Sequence, residues 1–461
     1  MDPADWDQEL RNYQDVIASG TKSKKIKAMV MLARFSKQAP ERVLARTIPI
    51  LTEILGHNVS NDSAPTLQEA AAYCLKCIAC RGEGALAVEI GAHDAPRSLM
   101  RLLPHSDGRM QKVLIKCLMV IVSYCNASRL VVATNGGVEM IIGLLSSCTD
   151  DTRRYLLEIL SALSMRRDVR KALTRLRALH YVVEAACCGS MVSRERACQA
   201  IGLLGVTRQT RRMLVELGAI PVLVSLFREG EHSTKLVVGN SLGVISAHVD
   251  YIRPVAQAGA IPLYAELLEG PDPSGKEIAE DVFCILAVAE ANAVEISGHL
   301  VRILREGNDE AKASAADVMW DLSGYKHSMC VIRDSGAFPV LVELLETGSE
   351  DVKVSVSGAF AQLSYDGTDR MSLAEAGAIP ILIDLMNDVD EVEDLRDNAT
   401  EALVNFYEDP LYHDRVSDAI NVSSFRNMQN RLVHIRASNE HMARSLRRMS
   451  VEQLTWNPDL V

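Results

Sequence analysis

The chain has 461 residues, with 60 Asp and Glu against 49 Lys and Arg, so its formal net charge of −11 excludes a molecule built throughout to hold nucleic acid. Hydrophobic residues make up 48% but aromatics only 5%, which leaves the core to Leu, Ala, Val and Ile, as in stacks of thin helices. No apolar run reaches the roughly 18 residues of a membrane-spanning helix, the opening 1–6 is acidic and polar rather than a secretory signal, and the 11 scattered Cys predict reduced thiols in a cytoplasmic and/or nuclear protein.

In chain order, a short helix is predicted over 6–17, broken at Ser19-Gly20. Residues 22–38 read as an amphipathic helix with Ile26, Met29, Val30, Leu32 and Ala33 on its apolar side. A phrase then appears, Thr47-Ile48-Pro49-Ile50-Leu51, followed by a polar insertion at 56–66 and a helix over 67–80. The phrase returns as Ala95-Pro96, as Asn135-Gly136-Gly137-Val138, and in a worn form at Arg177-Ala178-Leu179-His180. Its clearest copies are Gly218-Ala219-Ile220-Pro221, Gly259-Ala260-Ile261-Pro262, Gly336-Ala337-Phe338-Pro339 and Gly377-Ala378-Ile379-Pro380. The steps 136 to 177, 177 to 218, 218 to 259 and 336 to 377 are each 41 residues, and a worn copy at Gly298-His299-Leu300-Val301 fills the gap between 259 and 336. A fixed period near 40 is the mark of a helical solenoid, which grows in one dimension and needs no domain breaks. Nine anchors and ten accompanying long helices are expected, over 26–407, with an N-terminal helical cap at 1–25 and a C-terminal helical cap and basic tail at 408–461.

The phrase has a mechanical meaning. A short helix over 210–217 ends where Gly218 can turn left-handed without a Cβ penalty. The residue before proline is pushed out of the helical region, so the chain is expected to turn at Ile220, and Pro221 then starts a middle helix. A polar turn, Glu229-Gly230-Glu231-His232-Ser233, leads to a long helix over 234–247.

This short–middle–long unit resembles the armadillo repeat, most clearly at 336–364 and 377–407. The resemblance implies an all-α fold, a right-handed superhelical solenoid of about nine to ten repeats of three helices. Among relatives the chain looks closest to plant armadillo proteins of the U-box type and to vacuolar armadillo adaptors. A U-box of about 70 residues has no room before the first long helix, so ligase activity does not carry over.

In the armadillo family the long helices line a concave groove, with two positions per helix, one turn apart, facing it. Here the first rung reads Val30, Tyr73, Lys116, Glu158, Gln199, Asn240, Phe283, Asp317, Gly358 and Glu401, and the second Arg34, Cys77, Val120, Ala162, Leu203, Val244, Ala287, Asp321, Gln362 and Asn405. The Trp and Asn ladder of importin-α is absent except for Asn405. What remains is an apolar middle, from Val120 to Ala287, and an acidic C-terminal part at Asp317, Asp321 and Glu401. Such a groove suits a partner helix or extended segment with basic residues. The competing expectation is that the small apolar positions pack between helices and meet no ligand.

Charge is polarised along the chain: residues 266–410 carry a net −22 and residues 1–265 a net +9. Arg153, Arg154, Arg166, Arg167, Arg170, Lys171, Arg175, Arg177, Arg211 and Arg212 form a basic block, either a solvated face or a ridge for an acidic partner or membrane surface. Cys74, Cys77 and Cys80 fan around one helix with no fourth ligand nearby in sequence and read as plain thiols, so no metal or other cofactor is expected. His180, His248, His299 and His327 lack catalytic neighbours, and no phosphate loop or nucleophile elbow occurs. Trp320 is expected to pack between repeats. Arg447-Arg448-Met449-Ser450 resembles a basophilic kinase site. The leading functional expectation is a non-enzymatic protein-interaction adaptor. The alternatives are a subunit or regulator of a ubiquitin-ligase or signalling complex, and a membrane-surface or vesicle tether through 153–212.

Overall fold

The structure, a computed structural model, describes residues 3–57, 64–81, 84–323, 326–388, 392–417, 425–427 and 429–430. Every regular element among these residues is helical. The chain divides into two compact units, Met1–Ile245 and Ser246–Val461.

In the first unit a leading helix α1 (Pro3–Ser19) and a long helix α2 (Lys22–Phe35) precede the repeats. Four triplets of short, middle and long helices follow. They are α3 (Glu41–Ala45), α4 (Ile48–Gly56) and α5 (Ala64–Ala79), then α6 (Ala85–Ala92), α7 (Ala95–Leu102) and α8 (Gly108–Tyr124). Next come α9 (Asn126–Thr134), α10 (Gly137–Ser147) and α11 (Asp150–Ser164), then α12 (Arg167–Arg175), α13 (Leu179–Cys187) and α14 (Met191–Leu204). A fifth triplet, α15 (Arg208–Glu216), α16 (Ala219–Glu229) and α17 (His232–Ser246), closes the unit. Each long helix packs on the next, α2 on α5, α5 on α8, α8 on α11 and α11 on α14. The step from α14 to α17 needs a glycine: a Cβ on Gly202 would stand 2.7 Å from Ser241 Oγ, and Ser241 donates to the Cys198 carbonyl at 2.9 Å.

The second unit runs α18 (Val249–Gln257), α19 (Ala260–Glu269), α20 (Pro273–Leu286), then α21 (Glu290–Glu306) and α22 (Asp309–Ser323). It continues with α23 (Lys326–Asp334), α24 (Ala337–Thr347), α25 (Glu350–Leu363), α26 (Gly367–Glu375), α27 (Ala378–Asn387), α28 (Glu393–Glu408) and the short α29 (His413–Ser417). Its long helices stack in the same way, α20 on α22, α22 on α25 and α25 on α28. Ten long helices are therefore present among the described residues, as the period implies.

The middle helices carry the densest apolar faces. In α16, Ile220, Leu223, Leu226 and Phe227 are all buried, and each such side chain contributes about 2 kcal/mol on leaving water. The corner before α16 lies two residues before the turn expected at Ile220. Gly218 itself is left-handed, at φ 86°, and caps a helix that already starts at Ala219. Pro221 sits in the first turn, where its missing N–H had no partner to lose. A Cβ at Gly218 would meet nothing within 4 Å, so glycine serves the backbone angle there and not a close approach.

Two worn copies keep the corner without glycine: Asp94 and Arg177 adopt φ 61° and 52°. A non-glycine residue in this region carries a backbone cost of about 1 kcal/mol. The copy at 298 does not turn. Gly298 lies inside α21, one helix of 17 residues that replaces the expected short and middle pair.

Of the C-terminal cap and basic tail expected over 408–461, only 408–417, 425–427 and 429–430 lie within the described residues. Phe425 is buried, with its ring edge-on to Tyr407 of α28 at 5.2 Å.

Candidate protein-interaction surfaces

In the second unit, the stacked long helices bring together the acidic positions expected from the sequence. Asp317 and Asp321 stand one turn apart on α22, between α20 and α25. Asp321 Oδ2 accepts a long hydrogen bond, 3.8 Å, from Cys284 Sγ of α20. Burial raises the Glu280 carboxyl above its ordinary value; a hydrogen bond from Ser314 opposes this, and Asp317, Asp321 and Asp281 add to it by repulsion. Asp317 is raised by burial and by Asp321, against a hydrogen bond with Ser355 of α25. Cys284 is pushed up to about 12, by burial first and then by Asp321 and Asp281, which leaves it an unreactive thiol. Among the described residues, no Lys or Arg lies within ion-pair distance of Glu280, Asp281, Asp317 or Asp321.

Trp320, next to Asp321, is 43% exposed. It does not sit buried between repeats. Its ring lies against Gly358 of α25, where a Cβ would come within 2.8 Å of the indole. Further along, Tyr365 donates to Glu401 Oε1 at 2.7 Å, and Gln362 is half-buried.

Other rung positions belong to the core. Phe283 and Ala287 are fully buried, with Phe283 edge-on to Tyr264 at 6.2 Å. Asn405 is 4% exposed and donates to Ser364 Oγ at 2.7 Å, so its amide ties α28 to the end of α25 rather than facing a partner. Gly358 is buried beneath Trp320.

In the first unit Val120 is likewise core, at 5% exposure, on a helix packed between α5 and α11. Ala162, Leu203 and Val244 are half-buried. The expected smooth apolar middle is thus interrupted by packing at Val120 and, in the other unit, at Phe283 and Ala287. Tyr73, Gln199 and Asn240 are exposed, and the Lys76 ammonium lies 5.7 Å from the Tyr73 ring centroid. Lys116 and Glu158 are half-buried, Glu158 being 3.8 Å from Arg196. Cavities of about 400 and 300 Å³ flank α1, away from these positions; the smaller is lined mainly by apolar residues, among them Trp6, Tyr13 and Phe35.

Much of the basic block is structural. Arg170 Nη1 donates to the Ser164 and Met165 carbonyls at 2.7 and 3.0 Å, closing the end of α11. Arg211 does the same for α14, from Nε to Gly205 at 2.9 Å and from Nη2 to Val206 at 3.3 Å, and it is 9% exposed. Arg129 caps α8 at the Val122 and Ser123 carbonyls, and Arg370 caps α25 at Ser364 and Tyr365 while pairing with Asp409 at 3.0 Å. These side chains satisfy helix-end carbonyls that have no intrahelical partner. The positions 129, 170 and 211 recur at 41 residues, a signal present in the sequence and missed there. Arg153 faces Asp150 at 3.7 Å, Arg166 pairs with Asp168 at 2.9 Å, and Arg212 pairs with Glu216 at 2.7 Å. Arg167 is half-buried, and Lys171, Arg175 and Arg177 are exposed.

Cys74 is buried, Cys77 intermediate and Cys80 exposed, the fan that 100° per residue dictates.

No protein-family model matches the chain, and no curated protein matches it. Among solved structures, the crystal structure of an engineered protein, a structural-genomics target, is similar at 20% identity and a TM-score of 0.68. The match covers 86% of this chain and 98% of that one. Likeness at this identity concerns the fold, a helical-repeat solenoid, and agrees with the triplets above.

The raised carboxyls carry a stability consequence. A group whose folded pKa lies above its unfolded value stabilises the protein fully below the unfolded pKa, and that stabilisation is lost as pH rises through the folded pKa. Asp317→Asn and Glu280→Gln are therefore each expected to stabilise the second unit at pH 7 by about 1 kcal/mol, as surface-charge relief commonly does. The gain should shrink as pH falls through the raised pKa of each native carboxyl, where it takes up its proton. Urea midpoints at pH 7 and pH 4 check this; a lower midpoint at pH 7 would refute it.

Proposed function

We propose that the protein is a non-enzymatic interaction scaffold of the armadillo type, whose second unit receives a basic helix or extended segment of a partner protein. The observation that supports this is the set of half-buried carboxyls Glu280 and Asp317 with exposed Asp321. They have no cation within ion-pair distance among the described residues, and they share α22 with the exposed Trp320. Holding like charges together in partial burial lowers stability, so the arrangement suits a cation that arrives from outside. A Lys or Arg side chain would relieve the repulsion and stack on the indole face. The helical-repeat fold supports a scaffold generally, because stacked repeats expose long continuous surfaces.

The 11 cysteines are free thiols in the structure, which supports the proposed placement in the cytoplasm and/or nucleus. The tether alternative loses ground, since Arg170 and Arg211 are occupied with helix ends.

The test is charge reversal. Asp317→Lys with Asp321→Lys should weaken an arrayed Lys/Arg-rich helical peptide at least ten-fold in fluorescence anisotropy, equivalent to about 1.4 kcal/mol. Unchanged affinity would remove the acidic surface from the partner site.

A further inference from the structure

In the first unit, α8 and α11 pack side by side and bring two cations onto one phenol. Lys116 Nζ lies 4.8 Å from the Tyr155 ring centroid and Arg154 Cζ 4.6 Å from it. Arg154 Nη2 donates to Tyr155 Oη at 2.6 Å. All three residues are half-buried. The neighbouring cations are compensated: Lys112 pairs with Asp151 at 2.9 Å, Arg153 faces Asp150 at 3.7 Å, and Arg196 lies between Glu158 and Glu195 at 3.8 and 3.5 Å. Lys116 and Arg154 are different. Among the described residues neither has a carboxylate within 4 Å, and Arg154 Nε is buried with no acceptor.

We propose that Lys116, Arg154 and Tyr155 form a site for a phosphorylated side chain of a partner peptide. Two cations with no carboxylate in ion-pair contact, Asp151 acting on Arg154 only from beyond that distance, suit a ligand of charge near −2, and a phosphomonoester carries about −1.5 to −2 with three strong acceptor oxygens. A single carboxylate would leave one positive charge unmatched. The guanidinium supplies the planar fork that binds phosphate oxygens in pairs, the ammonium supplies a point charge, and the Tyr155 hydroxyl supplies a third donor. Burial pushes the Tyr155 phenol up, but Lys116 and Arg154 together pull it below the ordinary tyrosine value, as a strongly positive local potential requires. The site lies in the other unit from the acidic surface, has the opposite sign, and stands whether or not that surface binds a basic segment.

The experiment uses the full chain and an arrayed peptide library with a central residue fixed as phosphoserine, serine or glutamate. Phosphoserine forms should bind at least ten-fold tighter than their serine and glutamate counterparts. The preference should weaken with rising salt and disappear in both Lys116→Gln and Arg154→Gln. Lys76→Gln, which removes another cation beside a tyrosine, should retain it. Equal binding of phosphoserine and serine forms, or a preference unchanged in both glutamine variants, overturns the proposal. Glutamate matching phosphoserine also overturns it, in favour of an acidic partner. Capture only by vesicles bearing phosphomonoester lipids overturns it in favour of a membrane.

Discussion

Asp369→Asn should lower the stability of the second unit by about 3 kcal/mol, at the low end for breaking one side of a buried ion pair. The Asp369 side chain is fully buried, and its Oδ1 accepts from Arg333 Nη2 at 2.6 Å and Nε at 2.7 Å. Burial pushes this carboxyl up and Arg333 pulls against it; unlike Asp317 and Glu280 it has a cation to orphan, and orphaning that cation outweighs the relief of burial. The pair joins α23 to α26 across one repeat. Asparagine keeps the shape but leaves the guanidinium without its charge partner. Arg333 retains Asp366 at 3.8 Å and some solvent, which is why the loss stays near 3 and not 5 kcal/mol. Urea unfolding followed by circular dichroism reads the loss directly, and hydrogen exchange should place it first in the amides of α23 and α26. A midpoint equal to that of the parent protein would show the pair to be energetically idle.

The second large effect is expected at Arg211. Replacing it with Met strands the Gly205 and Val206 carbonyls at the end of α14 and should destabilise the first unit by about 3 kcal/mol, two charge-assisted hydrogen bonds at about 1.5 each. Arg211→Lys should recover less than half, since an ammonium has no fixed fork to span two carbonyls. The same substitution at Arg129 or Arg170 should cost less, because these side chains are less buried. Full recovery by lysine would mean that the charge matters and the fork does not. Together the variants separate a structural reading of the basic block from an interaction ridge: a ridge residue would change binding and leave unfolding alone.

These two sites differ in how far they could be read from the chain. Arg129, Arg170 and Arg211 recur at the repeat period, so their common role was available in the spacing. Charge density alone groups Arg170 and Arg211 with exposed neighbours such as Arg175 and leaves Arg129 out. The Asp369–Arg333 pair shows no such signal, because one partner among 31 acidic residues in 266–410 is singled out only by burial. Rung positions divided in the same way. Asp317 and Asp321 stand where helical spacing put them, whereas Phe283, Val120 and Asn405 face their neighbours. A rotation of a helix by a fraction of a turn is enough to move a side chain from surface to core, and spacing alone does not fix it. Trp320, one residue from the rung, was expected to be packed away; it is exposed because Gly358 lets the ring lie on α25 rather than enter it.

The sequence by itself determined the repeat. A recurrent Gly-x-x-Pro corner and an apolar face every 41 residues specify short, middle and long helices through local backbone chemistry, and local chemistry is legible residue by residue. The worn corners at Asp94 and Arg177 keep the left-handed turn at residues that disfavour it, which local chemistry alone does not specify. Only the tertiary structure decided that α21 runs through Gly298, that the arginines close helix ends, and that Lys116 and Arg154 meet on Tyr155 with no carboxylate beside them. Each of these depends on what a neighbouring repeat places within a few ångströms, and a one-dimensional pattern records the period of those neighbours but not the distances between their side chains.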